Sequence, residues 1–589
     1  MTATRRDFLN ITAAVAVTGA VGAVGGCAKS EEEATTASTA ADNSAPAVSE
    51  HTIAEAEKLA GVTYTDAERA QMVRTIGAQV QQVTSLGDTE LENGLAPATV
   101  FNPLLPGTPV PPQVSGVTRS SRQAGKLPSA AEDIAFAPVS DLSEWVRTKQ
   151  ISSRELTGLY LSRLKSLGPK LESVVTLTEE RALSQAARAD REIAAGKYRG
   201  PLHGIPWGGK DLLDTKGIKT TYGAMPFRDR VPDDDAAVVK LLDAAGAVLV
   251  AKTTLGALAY GDIWFGGKTR NPWNLEEGSS GSSAGSASST AAGLVGFALG
   301  TETLGSIVSP STRCGTAGLR PTFGRVPRTG AMALCWSLDK IGALTRSVED
   351  AALVLNTIAA HDGGDAGSAD VPFGYDGKRP ARGMKLGFDP AMFESEATGE
   401  IDKRTLEAAR AIGAELVEIK LPEWPYSSML PILLAEGAAA FEELTLKNLD
   451  DTMKWQEDRA WPNSFREARF IPAIHFVQAM RFRRRVMAMM AEKTAGLDAI
   501  ISPPFGEGNP LLVITNYTGH PSLTIRAGFY QSKTRGLFDN TEDKATAVTH
   551  SVPHSTTLWG PLFGEDRLIT LGMALEAELG VWDKRPPIA

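Results

Sequence analysis

Two serines in short glycine-rich runs are the residues of this chain best suited to chemistry. Ser282 lies in the run GSSAGS at 281–286, and Ser306 lies 24 positions later, at the end of the run GTETLGS at 300–306. A hydroxyl is a poor nucleophile at neutral pH, so another group must remove its proton. Lys210 lies upstream in a glycine-rich turn, and a lysine kept neutral by burial can take that proton through an intermediate hydroxyl. Together these residues predict a hydrolase with a serine nucleophile that works without histidine.

The sequence around these three residues resembles the amidase signature family. The run PLHGIP at 201–206, which leads to Lys210, resembles the lysine segment of that family, and RNPWN at 270–274 resembles the approach to its Gly/Ser-rich loop. Ser306-Ile307, CG at 314–315 and GLRPT at 318–322 continue the pattern, and Thr515-Asn516 with Gly519 and Pro521 is similar to a late segment. The resemblance covers roughly residues 131–589.

This resemblance implies a role for each matching residue. Lys210 would be the base, Ser282 the bridging serine and Ser306 the nucleophile of a Ser-cisSer-Lys triad, with the cis peptide expected between Gly281 and Ser282. No cofactor is implied. An oxyanion hole would be formed by the backbone N–H groups of Thr303, Leu304, Gly305 and Ser306.

The chain departs from the common family pattern at two positions. Leu304 stands where glycine or a small polar residue is usual, and a positive φ would strain it. Val308 stands where many members carry arginine. Losing that arginine removes a partner for a substrate carboxylate, which disfavours small dicarboxylic amides and free glutamine. The run 300–308 looks closer to bacterial peptide amidases, so the expected substrate is a peptide amide or a small-molecule amide.

Two alternatives stay open at this point. Residues 281–285 also match G-x-S-x-G, which would make Ser283 the nucleophile of an α/β-hydrolase-like esterase. That motif needs a hydrophobic strand before it, whereas NLEEG at 274–278 precedes it, and none of the later histidines His475, His520, His550 and His554 has distinguishing context. The second alternative is a non-catalytic surface-binding lipoprotein of the same fold.

Helices that alternate with short buried strands predict the scaffold for these residues. Ser152 to Glu155 form a capping box that opens a helix through Leu164, and a helix at 236–245 precedes the apolar strand 247–251. The same order recurs at 385–388, at 402–412 with 416–419, and at 499–501. This pattern predicts an α/β fold. The resemblance adds a large, mixed, mostly parallel central sheet covered by helices on both faces.

The first 27 residues predict export. Residues 4–9, TRRDFL, resemble a twin-arginine signal, and the apolar run 12–26 is short for a membrane span. The run VGGC ends at Cys27, which resembles the acylated cysteine of a bacterial lipoprotein, although a plain cleaved signal would leave Cys27 incidental. We therefore expect a periplasmic or cell-envelope lipoprotein with a membrane anchor at Cys27. Residues 28–50 predict a flexible linker, 51–130 an accessory N-terminal extension and 131–589 the amidase domain.

Composition excludes several other classes of protein. The formal net charge of -9 and the lack of long Lys/Arg runs argue against a nucleic-acid partner. Export also argues against a role in tRNA-dependent transamidation, whose partners are cytoplasmic. Cys314 and Cys335 are predicted to be buried free thiols rather than a disulfide, and no metal-ligand spacing is present, so we infer no metal.

Overall fold

The computed structural model describes residues 48–588 except 90, 115, 506–508 and 537–547. The predicted signal, with Cys27, and nearly all of the predicted linker lie outside the described residues. The chain divides into two compact units, of which the smaller includes residues 63–88 and the larger includes 89–589. In the smaller unit, Thr65 and Glu68 form a reciprocal capping box at the start of the helix Asp66–Val73.

An eleven-stranded sheet dominates the larger unit. Its described strands are β1 Val174–Leu177, β2 Pro206–Lys210, β3 Val248–Thr253, β4 Phe297–Glu302, β5 Ala317–Arg320, β6 Lys340–Thr345, β7 Lys385–Phe388, β8 Glu415–Glu418, β9 Ala499–Ser502, β10 Ser522–Ser532 and β11 His550–Trp559. Their spatial order is β8-β7-β9-β11-β10-β5-β6-β4-β2-β3-β1. Three two-stranded pairs lie outside this sheet: Val117–Thr118 with Tyr375–Asp376, Ile263–Trp264 with Gly267–Lys268, and Arg270–Asn271 with Asn274–Gly278.

The α/β class and the large mixed sheet are confirmed, but parallel pairs do not predominate. Among the described residues of this sheet, only four neighbouring pairs are parallel, namely β2 with β3 and β4, and β7 with β8 and β9. Six pairs are antiparallel, including the long β10–β11 hairpin and the neighbouring pairs of β5, β6 and β4. Short apolar strands look alike in sequence whichever way they run, because burial on both faces and not direction sets their composition.

Helices occupy most of the connections between strands. Among the described residues they are α1 Glu50–Ala60, α2 Asp66–Val73, α3 Ile76–Thr84, α4 Ala131–Ala135, α5 Val139–Arg147, α6 Ser153–Leu171, α7 Glu179–Ala194, α8 Ala237–Ala244, α9 Ala284–Ala291, α10 Val308–Cys314, α11 Val348–Ile358, α12 Gly399–Ala411, α13 Leu430–Ala440, α14 Glu442–Leu446, α15 Trp461–Ala468, α16 Ala473–Lys493, α17 Leu511–Thr518 and α18 Glu565–Leu579. The predicted capping box at Ser152 opens α6, which runs to Leu171 rather than ending at Leu164. Both leucines are buried, so the same apolar face continues along the helix.

Close packing, and not flexibility, explains the glycines near the predicted base. Lys210 is the last residue of the buried strand β2 and does not lie in a solvated turn. A Cβ at Gly208 would meet Thr253 Cγ2 at 2.9 Å, and one at Gly209 would meet the Trp207 ring at 3.2 Å. Glycine therefore lets β2 sit between β3 and β4, with a neighbouring strand on each side.

In the part of the chain that the structure describes, no helix is long and apolar enough to cross a membrane.

Candidate active site

Lys210 is surrounded by neutral oxygen atoms. Its Nζ donates to Ser282 Oγ at 2.8 Å, to Ser283 Oγ at 3.1 Å and to Thr301 Oγ1 at 2.8 Å, with the Thr301 carbonyl at 3.4 Å. The side chain is wholly buried. Burial lowers the pKa of Lys210 well below its ordinary value of 10.5, and the more distant charges of Asp339 and Glu302 oppose this shift. The amino group can therefore lose its own proton more readily than an exposed lysine and accept one from a neighbouring hydroxyl.

Asp211 does not oppose this shift, although it follows Lys210 directly. Its carboxylate accepts hydrogen bonds from the backbone N–H and the hydroxyl of Thr221 and pairs with Lys252 at 3.2 Å. Successive residues of an extended strand point to opposite faces of a sheet, which separates the two side chains. Asp211 therefore interacts with Thr221 and Lys252 and not with Lys210.

The Gly/Ser-rich run at 281–286 places Ser282 within hydrogen-bond distance of Lys210. The peptide bond between Gly281 and Ser282 is cis, as expected. Helix α9 begins directly afterwards at Ala284, and it is buried along its whole length. A Cβ at Gly285 would lie 2.3 Å from the Ser173 carbonyl oxygen and 2.4 Å from Thr254 N. The small residues therefore allow a close helix approach, unlike those of a flexible linker.

Ser283 is fixed in a structural role. Its Oγ donates to the Thr301 carbonyl at 3.0 Å, accepts from Thr301 N at 3.1 Å and accepts from Lys210. The residue is wholly buried. No histidine forms a hydrogen bond with Ser283 among the described residues. Ser283 therefore lacks the acid and histidine partners that an esterase nucleophile requires.

Ser306 lies beside this cluster and presents a free hydroxyl. Its carbonyl accepts a hydrogen bond from Ser283 N at 3.2 Å, which joins the two loops. Within the part of the chain that the structure describes, Ser306 Oγ makes no hydrogen bond, so the structure brings Lys210 and Ser282 into direct contact but does not bond Ser306 Oγ to Ser282 Oγ. Ser306 retains 7% exposure, whereas Ser282 and Ser283 have none.

The turn at 303–306 leaves its backbone donors available. No hydrogen bond among the described residues uses the backbone N–H of Thr303, Leu304, Gly305 or Ser306. The left-handed conformation in this turn falls on Gly305, with φ of 93°, and not on Leu304. Leu304 instead packs, partly buried, against the hydrophobic core. The strain considered for Leu304 therefore does not arise.

A buried carboxylate supports this turn from behind. Glu302 Oε2 accepts from Ile307 N at 2.7 Å and from Val308 N at 2.9 Å, at the start of α10. Its Oε1 accepts from Arg320 and, at 2.9 Å, from Asn516 Nδ2. Burial alone would raise the pKa of Glu302, but the charges of Arg320 and Lys340 and these hydrogen bonds hold it at about 2. The carboxylate is therefore charged and fixes both ends of the turn.

Sequence reasoning missed Thr301, Glu302 and Asp339. Thr301 and Thr303 lie two positions apart in extended backbone, so they share a face, while Glu302 points the other way. Thr303 Oγ1 donates to Asp339 Oδ1, and Asp339 Oδ2 accepts from Leu334 N at 2.8 Å. The alternation T-E-T in the run 300–306 was the available signal, since it places two hydroxyls toward the site and one carboxylate behind it.

The remaining titratable candidates serve structure. His203 accepts from Arg199 N at 3.1 Å and lies 3.1 Å from Glu192, while His554 bonds Asp402 at 2.7 Å. Cys314 and Cys335 are free and buried, as predicted. The described residues contain no group of three or more His, Cys, Asp or Glu side chains that could hold a metal ion.

Comparisons with known proteins agree with this geometry. A family model described as Amidase matches residues 155–568. A glutamyl-tRNA(Gln) amidotransferase subunit from Heliobacterium modesticaldum is 32% identical over 498 residues, covering 76% of this chain and 98% of that protein. The native peptide amidase structure from Stenotrophomonas maltophilia is 29% identical with a TM-score of 0.65, covering 77% of this chain and 98% of that one. A bacterial aryl acylamidase structure, 23% identical with a TM-score of 0.65 over 77% of this chain and 100% of that one, shares the fold.

The chain therefore belongs to the amidase signature family, and it is an amide-cleaving enzyme. The predicted family and the fold class are confirmed. Membership removes the α/β-hydrolase alternative, and the enzymatic assignment removes the non-catalytic one. The predicted boundaries at 27, 50 and 130 stay predictions.

Proposed function

We propose that the protein is an exported serine amidohydrolase that cleaves a carboxylic amide through an acyl-enzyme, with Ser306, Ser282 and Lys210 as its triad. The observation that carries this proposal is the buried amino group of Lys210, which lies 2.8 Å from Ser282 Oγ and has only neutral hydrogen-bond partners. A neutral lysine in this position can act as the base for a serine relay.

The reaction has two halves. Ser306 Oγ attacks the amide carbon and gives its proton to Ser282 Oγ, which passes its own proton to Lys210 Nζ. The carbonyl oxygen becomes negative and accepts hydrogen bonds from the N–H groups of the 303–306 turn, each worth about 2.7–4 kcal/mol in acyl transfer. The C–N bond then breaks as the leaving nitrogen takes the proton back. Water, deprotonated by the same route, attacks the acyl-enzyme and releases the acid and Ser306.

The proposed substrate is a small-molecule or peptide amide. Val308 is buried at the start of α10, so no arginine is available there for a substrate carboxylate. The likeness to a peptide amidase structure supports this class. The curated relatives are transamidation subunits, but the predicted export separates this protein from cytoplasmic tRNA partners.

We further propose that the mature protein is a lipoprotein of the periplasm or cell envelope, exported by the twin-arginine route and anchored at Cys27. Cys27→Ala should release active protein from membranes, because the proposed anchor lies outside the family match at 155–568. Replacing both Arg5 and Arg6 by lysine should leave unprocessed protein in the cytoplasm. Fractionation with a high-salt wash checks both results. A Cys27 variant that stays on the membrane would refute lipidation, and normal export of the double-lysine variant would refute the twin-arginine route.

A fluorophosphonate probe tests the nucleophile directly. Wild type should be labelled at Ser306, as located by peptide mass spectrometry, and Ser306→Ala should lose both labelling and turnover while it keeps its melting temperature. Ser282→Ala should lose activity by orders of magnitude because the proton path is broken. Ser283→Ala is the matched control and should lose less. Labelling at Ser283, or the reverse ranking of the two variants, would refute the assignment.

A further inference from the structure

A segment upstream of the family match crosses one end of the candidate active site. We call residues 93–101 the strap, which lies outside the 155–568 match. Asn93 fixes its first end, since Asn93 Oδ1 accepts from Ala333 N at 2.8 Å and Nδ2 donates to the carbonyls of Ala333 at 2.8 Å and Ala440 at 3.2 Å. The Asn93 carbonyl also accepts from Trp336 Nε1 at 3.0 Å. One side chain and one carbonyl thus tie the strap to two separate elements.

Phe101 fixes the second end of the strap. The Arg483 guanidinium lies 3.5 Å from the centroid of the Phe101 ring, and the Phe323 ring meets it edge-on at 5.1 Å. Arg483 is itself held, because it donates to Ser337 Oγ at 3.0 Å and to the Ser337 carbonyl at 2.8 Å. The strap is therefore secured at both ends by groups of the main body.

Between these ends the strap forms one wall of a cavity of about 540 Å³ that extends to the strand end next to the proposed triad. Thr301 and Thr303 line the same cavity, and Thr301 Oγ1 is a direct partner of Lys210. Leu95 and Val100 line it while remaining 61% and 44% exposed. Such exposed apolar side chains at the rim of a cavity gain burial only when an apolar ligand covers them.

The charged groups of the cavity wall, apart from the exposed Glu92, are already engaged within the protein. Arg328 pairs with Asp365 at 2.7 Å, Lys340 donates to Asn516 Oδ1 at 2.8 Å, and Asp339 accepts from Thr303 and two backbone N–H groups. The remaining wall is mostly apolar, with Leu212, Met332, Leu334, Trp336 and Ile341 among its residues. An uncharged group therefore suits this space better than a charged one.

We propose that this cavity binds an uncharged, apolar substituent of the amide substrate, and that the strap sets which substituents fit. The inference rests on the proposed function, because it identifies the cavity as the substrate site of that reaction. It assigns specificity to residues that precede the family match, with Asn93 as a positioning residue and Leu95 as a substrate contact.

Two matched compound pairs test the proposal on the full-length mature protein. Methyl and octyl fluorophosphonates compare short and long chains on the acyl side, and the acetamides of methylamine and octylamine compare them on the amine side. The readout is the ratio of long-chain to short-chain rate constants for labelling or hydrolysis. We expect wild type to favour the long chain in at least one pair.

Leu95→Trp should fill the cavity and lower the long-to-short ratio of that pair by about tenfold or more, since a pocket discriminates single methylene groups by roughly 10–200-fold. Leu91→Trp is the matched control, because Leu91 is 58% exposed but does not line the cavity, and it should leave the ratio unchanged. Leu95→Ala is a second variant that cannot overpack, and it should shift the optimum to a bulkier chain. Asn93→Ala should lower the ratio, whereas Asn102→Ala should not, because among the described residues the Asn102 side chain bonds only to Leu104 N.

The outcomes separate the two proposals. Labelling of Ser306 by both probes with an unchanged ratio in Leu95→Trp and Leu95→Ala would overturn the cavity assignment and leave the proposed function standing. A wild type that prefers the short chain in both pairs would also overturn it. Failure of every probe to label wild type, with no amide hydrolysis, would overturn the proposed function and the cavity assignment with it.

Discussion

Two buried lysines on neighbouring strands of one sheet have opposite surroundings. Lys210 ends β2 and Lys252 lies in β3, and the pairing register sets Gly209 beside Lys252 and Lys210 beside Thr253. Paired residues share a face of a sheet, so the two lysines point to opposite faces. Both side chains are fully buried. Any difference between the two lysines must therefore come from the groups that they contact rather than from the extent of their burial.

Among the residues that the structure describes, Lys252 has a carboxylate partner and Lys210 has none. Lys252 Nζ lies 3.2 Å from Asp211 Oδ1 and donates to Thr220 Oγ1 at 2.7 Å and the Leu213 carbonyl at 2.8 Å. Burial lowers the pKa of both lysines, and the adjacent Asp211 opposes this for Lys252, whereas only more distant carboxylates do so for Lys210. Lys252 is therefore suited to a structural ion pair and Lys210 to proton transfer. A single neighbouring carboxylate is enough to make this difference between two buried lysines.

Removing the amino group of Lys210 should have the largest effect. Lys210→Met should lower kcat/KM by roughly 10²–10⁴-fold, the usual worth of a general base. The melting temperature should not fall, because methionine fills a similar space without a buried amine. Steady-state kinetics and thermal unfolding check the two parts. Retention of near-wild-type kcat/KM would show that Lys210 is not the base.

Lys252→Met should reverse this pattern. It leaves Asp211 buried without its cation, and breaking a buried pair in this way costs about 3–5 kcal/mol of the free energy of unfolding. Denaturant unfolding of both lysine variants makes the comparison. A Lys252 variant as stable as wild type, or a Lys210 variant that loses equal stability, would contradict the division of roles.

The pH dependence of the rate should follow Lys210. Its lowered pKa means that the base is protonated at acid pH, so kcat/KM should rise with pH and reach a plateau well below 10.5. Because the unfolded chain binds the proton that folded Lys210 rejects, this group makes stability rise with pH between its folded pKa and its unfolded pKa. Lys210→Met should lack that increment. A flat wild-type profile, with chemistry limiting the rate, would refute a titrating lysine base.

Thr301→Val should have the smallest effect of the three active-site and ion-pair substitutions. It removes one of the three hydroxyls that hold Lys210, and we expect about a 2- to 13-fold loss of kcat/KM, since one net hydrogen bond is worth roughly 0.5–1.5 kcal/mol. Thr253→Val is the matched control, because Thr253 is also buried but bonds Ser286 Oγ at 2.9 Å and not the lysine. Equal losses in the two variants would show a general packing effect.

From the sequence, the residues of the candidate site could be proposed more readily than their surroundings, and the catalytic roles of these residues stay predictions. Lys210, Ser282 and Ser306 lie in runs specific enough to identify, and short apolar strands between helices were sufficient for the fold class. The direction of the strands was not predictable, because burial and not direction fixes their composition. The close packing at Gly208 and Gly285 was also not predictable. A sequence shows that these residues have no side chain, but it does not show which neighbouring atoms occupy the space that a Cβ would need. The roles of Thr301, Glu302 and the strap depend on contacts across the fold, such as Glu302 with Arg320 and Asn93 with Ala333.

The Glu302 carboxylate divides neighbouring amides into two populations that hydrogen exchange can distinguish. Ile307 and Val308 donate to a charged buried oxygen at 2.7 and 2.9 Å, so their amide protons should exchange slowly whether or not a ligand is bound. The four preceding amides have no acceptor within the described structure, so their protection should depend on what occupies the site. A substrate-like inhibitor with a negative oxygen would then be visible as slowed exchange confined to residues 303–306, next to two amides that do not change.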